Sequence, residues 1–252
     1  MLLFAVPAYN EEGAIGALLD NIDAAMRAEH FEYRVLVVDD GSTDDTAAEI
    51  ADRARRYPVT LVPHERNMGL AAAMRTCLTT AVAEAADDDI IVTMDGDNTH
   101  LPGLIPRMVR SIREGRDIII ASRYQPGARV LGLVGFRQFM SWGAGVLFRI
   151  TFPIPGVRDY TCGYRAYRAA VVREAIRLWG DNLITEQGFA CQVELLLRFA
   201  RLNVIMDEVP MILRYDQKVG ASKMNVRRTV AQTLRLLARE RVGFGPRRHT
   251  DE

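Results

Sequence analysis

The chain has no excess of charge of either sign, because its 32 lysines and arginines equal its 32 aspartates and glutamates. Proteins that bind nucleic acid concentrate positive charge, so this balance argues against a nucleic-acid partner. Cysteine is also scarce: Cys77, Cys162 and Cys191 are odd in number and show no CxxC spacing. This usage predicts reduced thiols in a cytosolic protein and not a disulfide framework.

Long apolar runs and phosphate-binding glycine loops are missing as well. No stretch reaches the roughly 18 to 20 apolar residues that a bilayer-spanning helix needs. The N-terminus enters strand-like sequence at Leu2 without the basic region and cleavage site of a signal peptide. Neither GxGxxG nor GxxxxGK(S/T) follows a predicted strand, which disfavours a dinucleotide fold and a P-loop. We therefore expect a soluble or peripheral cytoplasmic protein.

Strands and helices alternate through the first half of the chain. Apolar runs rich in β-branched residues predict strands at residues 2–6, 34–38, 59–62, 117–121 and from residue 90 onward. Apolar residues at helical spacing predict amphipathic helices between them, and Ser42 with Asp45 predicts a capping box that opens a helix to about Arg56. This alternation implies an α/β fold, with a mostly parallel sheet and helices on both faces.

A polar cluster follows each of these strands. Right-handed crossovers place the carboxyl ends of parallel strands at one edge, where open sheets bind ligands, so we expect the clusters to converge. They are residues 9–11, 39–42, 67–69, 95–97 and 122–123. Asp95 and Asp97 directly follow a buried strand, and Mg²⁺ commonly takes one or two carboxylates together with phosphate oxygens and water. A nucleoside diphosphate held through a metal is one candidate ligand; helix capping would account for one carboxylate of Asp39 and Asp40.

Longer motifs in a fixed order contain four of these clusters. They read Pro7-Ala8-Tyr9-Asn10-Glu11, Val38-Asp39-Asp40-Gly41-Ser42-Thr43-Asp44, Asn67-Met68-Gly69-Leu70 and Met94-Asp95-Gly96-Asp97. Together they resemble the motifs of the family 2 glycosyltransferases. Residues 122–124, 159–165 and 208–210, with Ser222 and Lys223, are similar to the polyprenyl-phosphate (dolichol-phosphate mannose synthase-like) branch of that family. The likeness covers residues 2 to 225 and implies a GT-A fold, a Rossmann-like domain that binds a nucleotide sugar.

The resemblance implies roles for individual residues. The nucleotide-sugar-binding residues would be Pro7, Tyr9, Glu11, Asp39, Asp40, Asn67, Asp95, Arg214 and Lys223. Mg²⁺ or Mn²⁺ would be held by Asp95 and, mainly, Asp97. Many relatives have a glutamine at the position of Thr99 that can help bind the metal; because Thr99 is a weaker ligand, we expect water there. The acceptor phosphate would contact Arg123, Arg137 and Ser141, since guanidinium groups bind phosphate bidentately, and the catalytic set would be Asp97, Arg123 and Arg137.

The second half includes the most apolar region of the chain, residues 131–155. Its uncharged run at residues 138–148 is too short to cross a bilayer and fits either a core helix or an interfacial segment. Trp142 and flanking arginines favour the interface. Helices are expected from Arg168 and over residues 185–201, where Gln192 and Glu194 would support the sugar pocket or face solvent. Strands are expected at residues 203–210 and 211–215, and residues 216–221 would form a loop that covers the pyrophosphate or simply connects two elements.

We expect a single GT-A domain over residues 1–225, with a nucleotide-sugar half at 1–122 and an acceptor half at 123–225. Residues 226–252 would follow as an amphipathic helix and a polar tail. The basic helix at residues 227–241 would lie on anionic lipid or pack on the sheet. Peripheral association with the cytoplasmic membrane face is expected, and a membrane-protein partner or a second copy of the chain stays open.

The expected activity is metal-dependent, inverting transfer of a hexose from GDP-mannose or a UDP-sugar to a polyprenyl or dolichyl phosphate. A phosphomonoester has a second pKa of about 6 and needs no general base. The Glu-Asp pair of relatives that act on hydroxyls is missing, and residues 185–187 are its nearest counterpart. One alternative is transfer to a saccharide hydroxyl with Glu186 or Asp159 as base, and another is a catalytically silent nucleotide-sugar-binding protein. A nucleotidyltransferase is disfavoured, because its glycine-rich loop is missing.

Overall fold

The structure is a computed structural model that describes residues 1–132, 148–217 and 235. Its first half contains β1 Leu2–Ala8, α1 Ile15–Ala28, β2 Tyr33–Asp39, α2 Thr46–Ala54, β3 Val59–Pro63, α3 Leu70–Glu84, β4 Ile90–Thr93, α4 Ile105–Arg113 and β5 Ile118–Ser122. Its second half contains β6 Arg129–Leu131, β7 Arg165–Arg168, α5 Ala169–Trp179, α6 Ala190–Phe199, β8 Met206–Pro210 and β9 Ile212–Arg214. Short 3₁₀ turns lie at Pro102–Leu104, Gly180–Leu183 and Tyr215–Gln217.

Seven of the strands in the described ranges form one sheet in the order β3-β2-β1-β4-β7-β5-β8. Every neighbouring pair is parallel except those of β7, which runs antiparallel between β4 and β5. The predicted mostly parallel α/β sheet is thus confirmed. The reversed strand was not predicted, and Arg168, expected to begin a helix, is its last residue.

The central strands are buried on both faces. Every residue of β1, β4 and β5 is buried, which is why each reads as a continuous apolar run and not as an alternating one. The helix α1 buries Ile15, Leu18, Leu19, Ile22 and Met26, and this spacing matches one face of a helix with 3.6 residues per turn. The core therefore forms where the apolar periodicity predicts it.

Two predicted helix starts were wrong for the same reason. Side chains near the N-terminus of each helix make hydrogen bonds that do not belong to a helix cap. The helix α2 begins at Thr46, and Ser42 does not cap it; its hydroxyl donates to Asp39 Oδ1 at 2.5 Å. The helix α6 begins at Ala190 instead of residue 185. There, the backbone N–H groups of Thr185 and Glu186 each donate to Glu194 Oε2 at 2.7 Å and hold the preceding segment in a loop.

The strands β6 and β9 form a separate two-stranded parallel sheet beside the loop that follows β4. His100 makes an isolated antiparallel bridge with Leu213, and the Arg214 N–H donates to the Thr99 carbonyl at 3.0 Å. The backbone of β9 therefore lies against residues 99–100. Within the described ranges, no helix combines the length and the apolar content needed to cross a bilayer.

Candidate functional site

The loops that follow β1 and β2 are joined by hydrogen bonds at the carboxyl edge of the sheet. The Asp40 N–H donates to the Ala8 carbonyl at 2.8 Å, and the Asn10 N–H donates to Ser42 Oγ at 2.9 Å. In return, Asn10 Oδ1 accepts from the Thr43 N–H at 2.8 Å. Asn10 has a φ of 50°, a left-handed conformation that asparagine adopts more readily than most residues. The first two predicted clusters therefore form one continuous surface.

Asp39 and Asp40 are both buried, but their carboxylates differ in what they accept. Asp39 Oδ1 accepts from the N–H and the hydroxyl of Ser42, at 3.0 and 2.5 Å, and Oδ2 accepts no hydrogen bond from the described residues. Asp40 uses both oxygens: Oδ1 accepts from the Met68 N–H at 2.9 Å and Oδ2 from the Gly69 N–H at 2.8 Å. Asp40 thus holds the loop after β3, whereas Asp39 keeps an oxygen available.

A histidine that is only slightly exposed also contacts Asp40. His64 Nδ1 lies 2.7 Å from Asp40 Oδ1, and because a carboxylate only accepts, Nδ1 is the donor. His64 Nε2 lies 3.0 Å from Thr76 Oγ1 on α3. Gly41, with a φ of 70°, packs so closely on the backbone of residues 66 and 67 that a Cβ there would collide with it. The third predicted cluster is therefore fixed against the second, with Met68 61% exposed beside it.

The Asp95-Gly96-Asp97 turn lies against the end of β1. A Cβ on Gly96 would stand 3.2 Å from the Pro7 carbonyl oxygen and 3.4 Å from the Ala8 Cβ, so the glycine permits this close approach. Asp97 is buried, and its Oδ1 accepts from the hydroxyl and the N–H of Thr99, at 2.7 and 3.2 Å. Thr99 therefore orients the Asp97 carboxylate by hydrogen bonding to it.

His100 and residues of the second half surround Asp95. The Asp95 N–H donates to His100 Nδ1 at 3.3 Å, and the His100 ring stacks on Tyr164 with the centroids 5.0 Å apart. A Cβ placed on Gly163 would lie 3.4 Å from Asp95 Oδ1 and 3.0 Å from Gln192 Nε2. The segment before β7 thus lies between the Asp95 carboxylate and the first turn of α6.

Gln192 and Glu194 are both buried, so the possibility that they face solvent was wrong. Gln192 Oε1 accepts no hydrogen bond among the described residues. Glu194 accepts from the Thr185 hydroxyl at 2.5 Å in addition to the two backbone N–H groups already described. Glu194 therefore shapes the loop that contains Glu186.

Arg123 follows β5 and forms a bidentate ion pair with Asp159. Arg123 Nε donates to Asp159 Oδ2 at 2.8 Å, Nη2 donates to Oδ1 at 2.6 Å, and Nη2 also donates to Thr161 Oγ1 at 2.5 Å. Burial alone would raise the pKa of Asp159, but Arg123 and the backbone N–H groups lower it below its usual value. Burial opposes the charge on Arg123 too, yet Asp159 raises the pKa of that guanidinium. Both groups are therefore ionised at neutral pH.

Glu208 on β8 holds the backbone of Arg158 and Asp159 and so helps to fix the position of the ion pair. Its Oε1 accepts from the N–H groups of Arg158 and Asp159, at 2.6 and 2.5 Å, while Oε2 is buried without a partner among the described residues. Burial raises the pKa of the Glu208 carboxyl, against the backbone N–H groups that lower it. The sequence contains the residues of this network within motifs at residues 159–165 and 208–210. It does not indicate that these two motifs contact each other.

Arg165, the first residue of β7, is fully buried and has no carboxylate partner among the described residues. Its Nη1 and Nη2 donate to the carbonyls of Gln192 and Tyr160, each at 3.0 Å, and its Nε has no acceptor in the part of the chain that the structure describes. The guanidinium thereby ties α6 to the segment before β7. In the sequence, Arg165 stands out only as part of the motif at residues 159–165, and its burial is unexpected because arginines are seldom fully buried.

The remaining predicted residues divide into those that the structure describes and those that it does not. Pro7 is buried at the end of β1, Tyr9 and Glu11 are half-buried beside it, and Asn67 is exposed. Arg214 lies by Thr99 through its backbone, and its guanidinium donates from Nη2 to Asp216 at 2.8 Å. The predicted residues Arg137, Ser141, Trp142 and Lys223 lie outside the described residues, and so does the segment 226–252 apart from residue 235.

The donor set at the end of β4 fits a hard divalent cation. Asp97 and Asp95 supply two carboxylates on one turn, and Thr99 fixes the first of them. Residues 1–132 and 148–217 contain no cluster of three or more His, Cys, Asp or Glu side chains arranged for a metal. Mg²⁺ does not require one, because it completes its shell with phosphate oxygens and water.

Comparison with known proteins adds independent information about the whole chain. Residues 4–175 match the family model described as glycosyl transferase family 2. The chain is 32% identical over 235 residues to the dolichol-phosphate mannosyltransferase of Pyrococcus furiosus, covering 93% of this chain and 62% of that protein. It is 33% identical over 225 residues to the undecaprenyl-phosphate mannosyltransferase of Micrococcus luteus, covering 89% and 87% of the two chains.

A similar solved structure is glucosyl-3-phosphoglycerate synthase from Mycobacterium tuberculosis, crystallised with Mn²⁺, UDP and glucosyl-3-phosphoglycerate. The TM-score is 0.66 at 20% identity, with 98% of this chain and 81% of that chain covered, which shows a shared fold. The family match spans more than half of the chain and includes β1, β2, β4 and β5, whose carboxyl ends are followed by the polar clusters. The chain therefore belongs to glycosyl transferase family 2.

Proposed function

We propose that the protein transfers a hexose, with mannose the first candidate, from a nucleotide diphosphate sugar to a polyprenyl phosphate. The observation that supports this most directly is the order of the strands. Asp39 ends β2, Asp95 follows β4 and Arg123 follows β5, with one strand between each pair. At about 4.8 Å per strand spacing, each step is about 10 Å, which suits a nucleoside on one side and an acceptor phosphate on the other.

On the donor side, the oxygen that Asp39 keeps available accepts a hydrogen bond from an N–H group of the base. Pro7, Tyr9 and Glu11 border the nucleoside, and the exposed Asn67 and Met68 lie on the far side of it. Asp40 acts indirectly, since its carboxylate is already used to hold the loop of residues 68–69. This assignment refines the expectation that Asp40 contacts the nucleoside.

Asp97 and Asp95 would hold Mg²⁺ or Mn²⁺, and Asp95 would also face the ribose. When bound, the metal supplies charge neutralisation for the departing nucleoside diphosphate. Thr99 keeps the Asp97 carboxylate in one orientation. Arg214 and Lys223 contribute positive charge to the pyrophosphate, and for Arg214 this requires exchange of its exposed contact with Asp216.

On the acceptor side, Arg123 orients the phosphate, together with Arg137 and Ser141. The ionised phosphate oxygen attacks the anomeric carbon directly, with inversion, so no side chain needs to remove a proton. Asp159 is a poor general base, because it is fully buried and bound to Arg123. Among the two bases considered for a saccharide acceptor, only Glu186 remains.

In this proposal, residues 1–122 form the donor half of the domain and residues 123–225 form the acceptor half. Because the acceptor is membrane-bound, the protein associates peripherally with the cytoplasmic membrane face. The names of the two mannosyltransferase relatives support a polyprenyl phosphate as the acceptor and mannose as the first sugar to test. Of the donors expected from the sequence, GDP-mannose is therefore tested first and UDP-sugars next.

The test is incubation of the purified protein with Mn²⁺ or Mg²⁺, labelled nucleotide sugars and polyprenyl phosphate, followed by organic extraction. We expect label in the lipid fraction with one donor and only when metal is present. Label that stays water-soluble with every donor would refute the proposal. Labelled saccharides would instead indicate a hydroxyl acceptor, and metal-dependent donor hydrolysis without transfer would exclude a catalytically silent binding protein.

A further inference from the structure

We propose that Asp159 is a positioning residue for the acceptor phosphate, an inference that rests on the proposed function. Asp159 binds Nε and Nη2 of the Arg123 guanidinium, so that Nη1 of Arg123 points in a fixed direction. The role is distinct from that of a catalytic base and from that of a direct ligand. Asp159 would thereby make Arg123 a hydrogen-bond donor that is aligned before the acceptor phosphate binds, instead of a mobile surface charge.

The geometry of Arg123 shows which part of the guanidinium remains available. Asp159 takes Nε and Nη2, at 2.8 and 2.6 Å, and Thr161 takes Nη2 again. Within the described residues Nη1 makes no hydrogen bond, and the Arg123 side chain is 22% exposed whereas Asp159 is not exposed at all. The guanidinium also lies over the Tyr124 ring, with Cζ 5.5 Å from its centroid. Three different contacts thus leave one edge of the cation accessible.

The position of Asp159 is itself fixed by backbone. Its carboxylate accepts from the N–H groups of Arg123, Thr161 and Cys162, at 3.1, 3.3 and 3.2 Å. Glu208 in turn accepts from the N–H of Asp159. Such a carboxylate cannot follow a moving arginine, so the arginine takes the direction that the carboxylate dictates.

The ion pair with Asp159 also weakens the electrostatic attraction between Arg123 and a phosphate. This favours a role in which Arg123 orients the phosphate over one in which its charge alone attracts it. A bidentate carboxylate largely offsets the charge of Arg123, so a phosphate gains little from net charge at this residue. An arginine side chain has about 2 kcal/mol of rotamer entropy, and immobilising it in advance lowers the cost of binding. Directional hydrogen bonding from Nη1 is therefore what Arg123 offers, and Asp159 is the residue that creates it.

The experiment compares Asp159→Asn with the wild-type protein and with Asp117→Asn as a matched control. Asp117 precedes β5 at the opposite edge of the sheet and pairs with Arg168 Nε at 3.4 Å, so it resembles Asp159 in chemistry but not in place. For Asp159→Asn we expect the KM for polyprenyl phosphate to rise roughly 10- to 100-fold, as for loss of a charged hydrogen bond. The KM for the nucleotide sugar should be unchanged, and Asp117→Asn should change neither.

Equal changes in both KM values, or no change in either, would overturn the positioning role, as would the same shift in Asp117→Asn. A wild-type protein without transfer to polyprenyl phosphate would instead refute the proposed function itself. If Asp159→Asn does not fold, Thr161→Val tests the same arrangement, because it removes only the hydroxyl beside Arg123 Nη2. Its KM for polyprenyl phosphate should rise roughly two- to tenfold, and an unchanged value in the folded variant would refute the inference.

Discussion

Replacing Asp40 with asparagine should destabilise the protein strongly, because the buried carboxylate accepts three hydrogen bonds. The Met68 N–H and His64 Nδ1 use one oxygen and the Gly69 N–H uses the other. Asparagine retains one acceptor oxygen, so at least one of these partly buried N–H groups faces an amide NH₂ instead. An unsatisfied buried donor costs about 1–3 kcal/mol, and loss of the charge weakens the remaining bonds by about 1 kcal/mol.

The expected loss in the free energy of unfolding is therefore about 2–4 kcal/mol for Asp40→Asn. For a chain of this size each kcal/mol shifts Tm by about 2–4 °C, so Tm should fall by roughly 5–15 °C. Urea unfolding measures the free energy directly, and a thermal scan measures Tm. A Tm within about 2 °C of the wild type would refute the conclusion that Asp40 holds the loop of residues 68–69.

The matched control is Asp39→Asn on the neighbouring residue. One asparagine oxygen can accept both hydrogen bonds from Ser42, and the NH₂ then takes the place of Oδ2, which accepts none from the described residues. Stability should change by less than about 1 kcal/mol, whereas the affinity for the nucleoside diphosphate should fall roughly 10- to 100-fold, because a base N–H would meet a donor. Calorimetric titration with Mn²⁺ present measures that affinity. If Asp39→Asn unfolds as readily as Asp40→Asn, the two carboxylates do not have separate roles.

Substitutions at three other residues have distinct outcomes. Asp97→Asn should abolish transfer while leaving the circular dichroism spectrum and Tm close to those of the wild type; retained activity would contradict Asp97 as the metal ligand. Thr99→Val removes the hydroxyl that orients Asp97, so about tenfold more Mn²⁺ should be needed for half-maximal rate, and Thr99→Ser should restore the wild-type value. Glu208→Gln should raise Tm near neutral pH, because burial raises the pKa of Glu208 above its usual 4.5 and the fold therefore disfavours its charged form. That gain should disappear below about pH 4.5, where the carboxyl is protonated in both states, and a gain independent of pH would contradict the cause given.

The edge of the sheet that carries the site was predictable because its signals are local. The strands β1, β2, β4 and β5 read as apolar runs since they are buried between helices, and each is followed at once by its polar cluster. Parallel connections then bring those clusters together without any further information. The sequence shows only that Gly96 lies between two carboxylates, and its close packing on Pro7 became visible in the structure.

Features that depend on contacts between distant residues could not be read from the sequence. Nothing in Asp39-Asp40 indicates which carboxylate turns towards the loop of residues 68–69, because that depends on how residues far along the chain fold back. Nothing in the sequence indicates that Arg165 is buried, yet two backbone carbonyls from separate segments accept its hydrogen bonds in the core. The capping box at Ser42 failed for a related reason, since Asp39 competes for its hydroxyl.

The strand that the sequence did not reveal is also the one that joins the two sides of the candidate site. Because β7 is antiparallel, its first residues lie at the carboxyl ends of β4 and β5, and the segment before it reaches the same edge. The Thr93 hydroxyl donates to the Gly163 carbonyl at 2.7 Å, and the Ala121 N–H donates to the Tyr164 carbonyl at 3.0 Å, so both neighbouring strands hold that segment. A parallel strand in this place would carry residues 159–164 to the opposite edge, away from Asp95 and Arg123. The reversal of a single short strand is therefore what allows one chain to place Asp159 beside Arg123 and Gly163 beside Asp95.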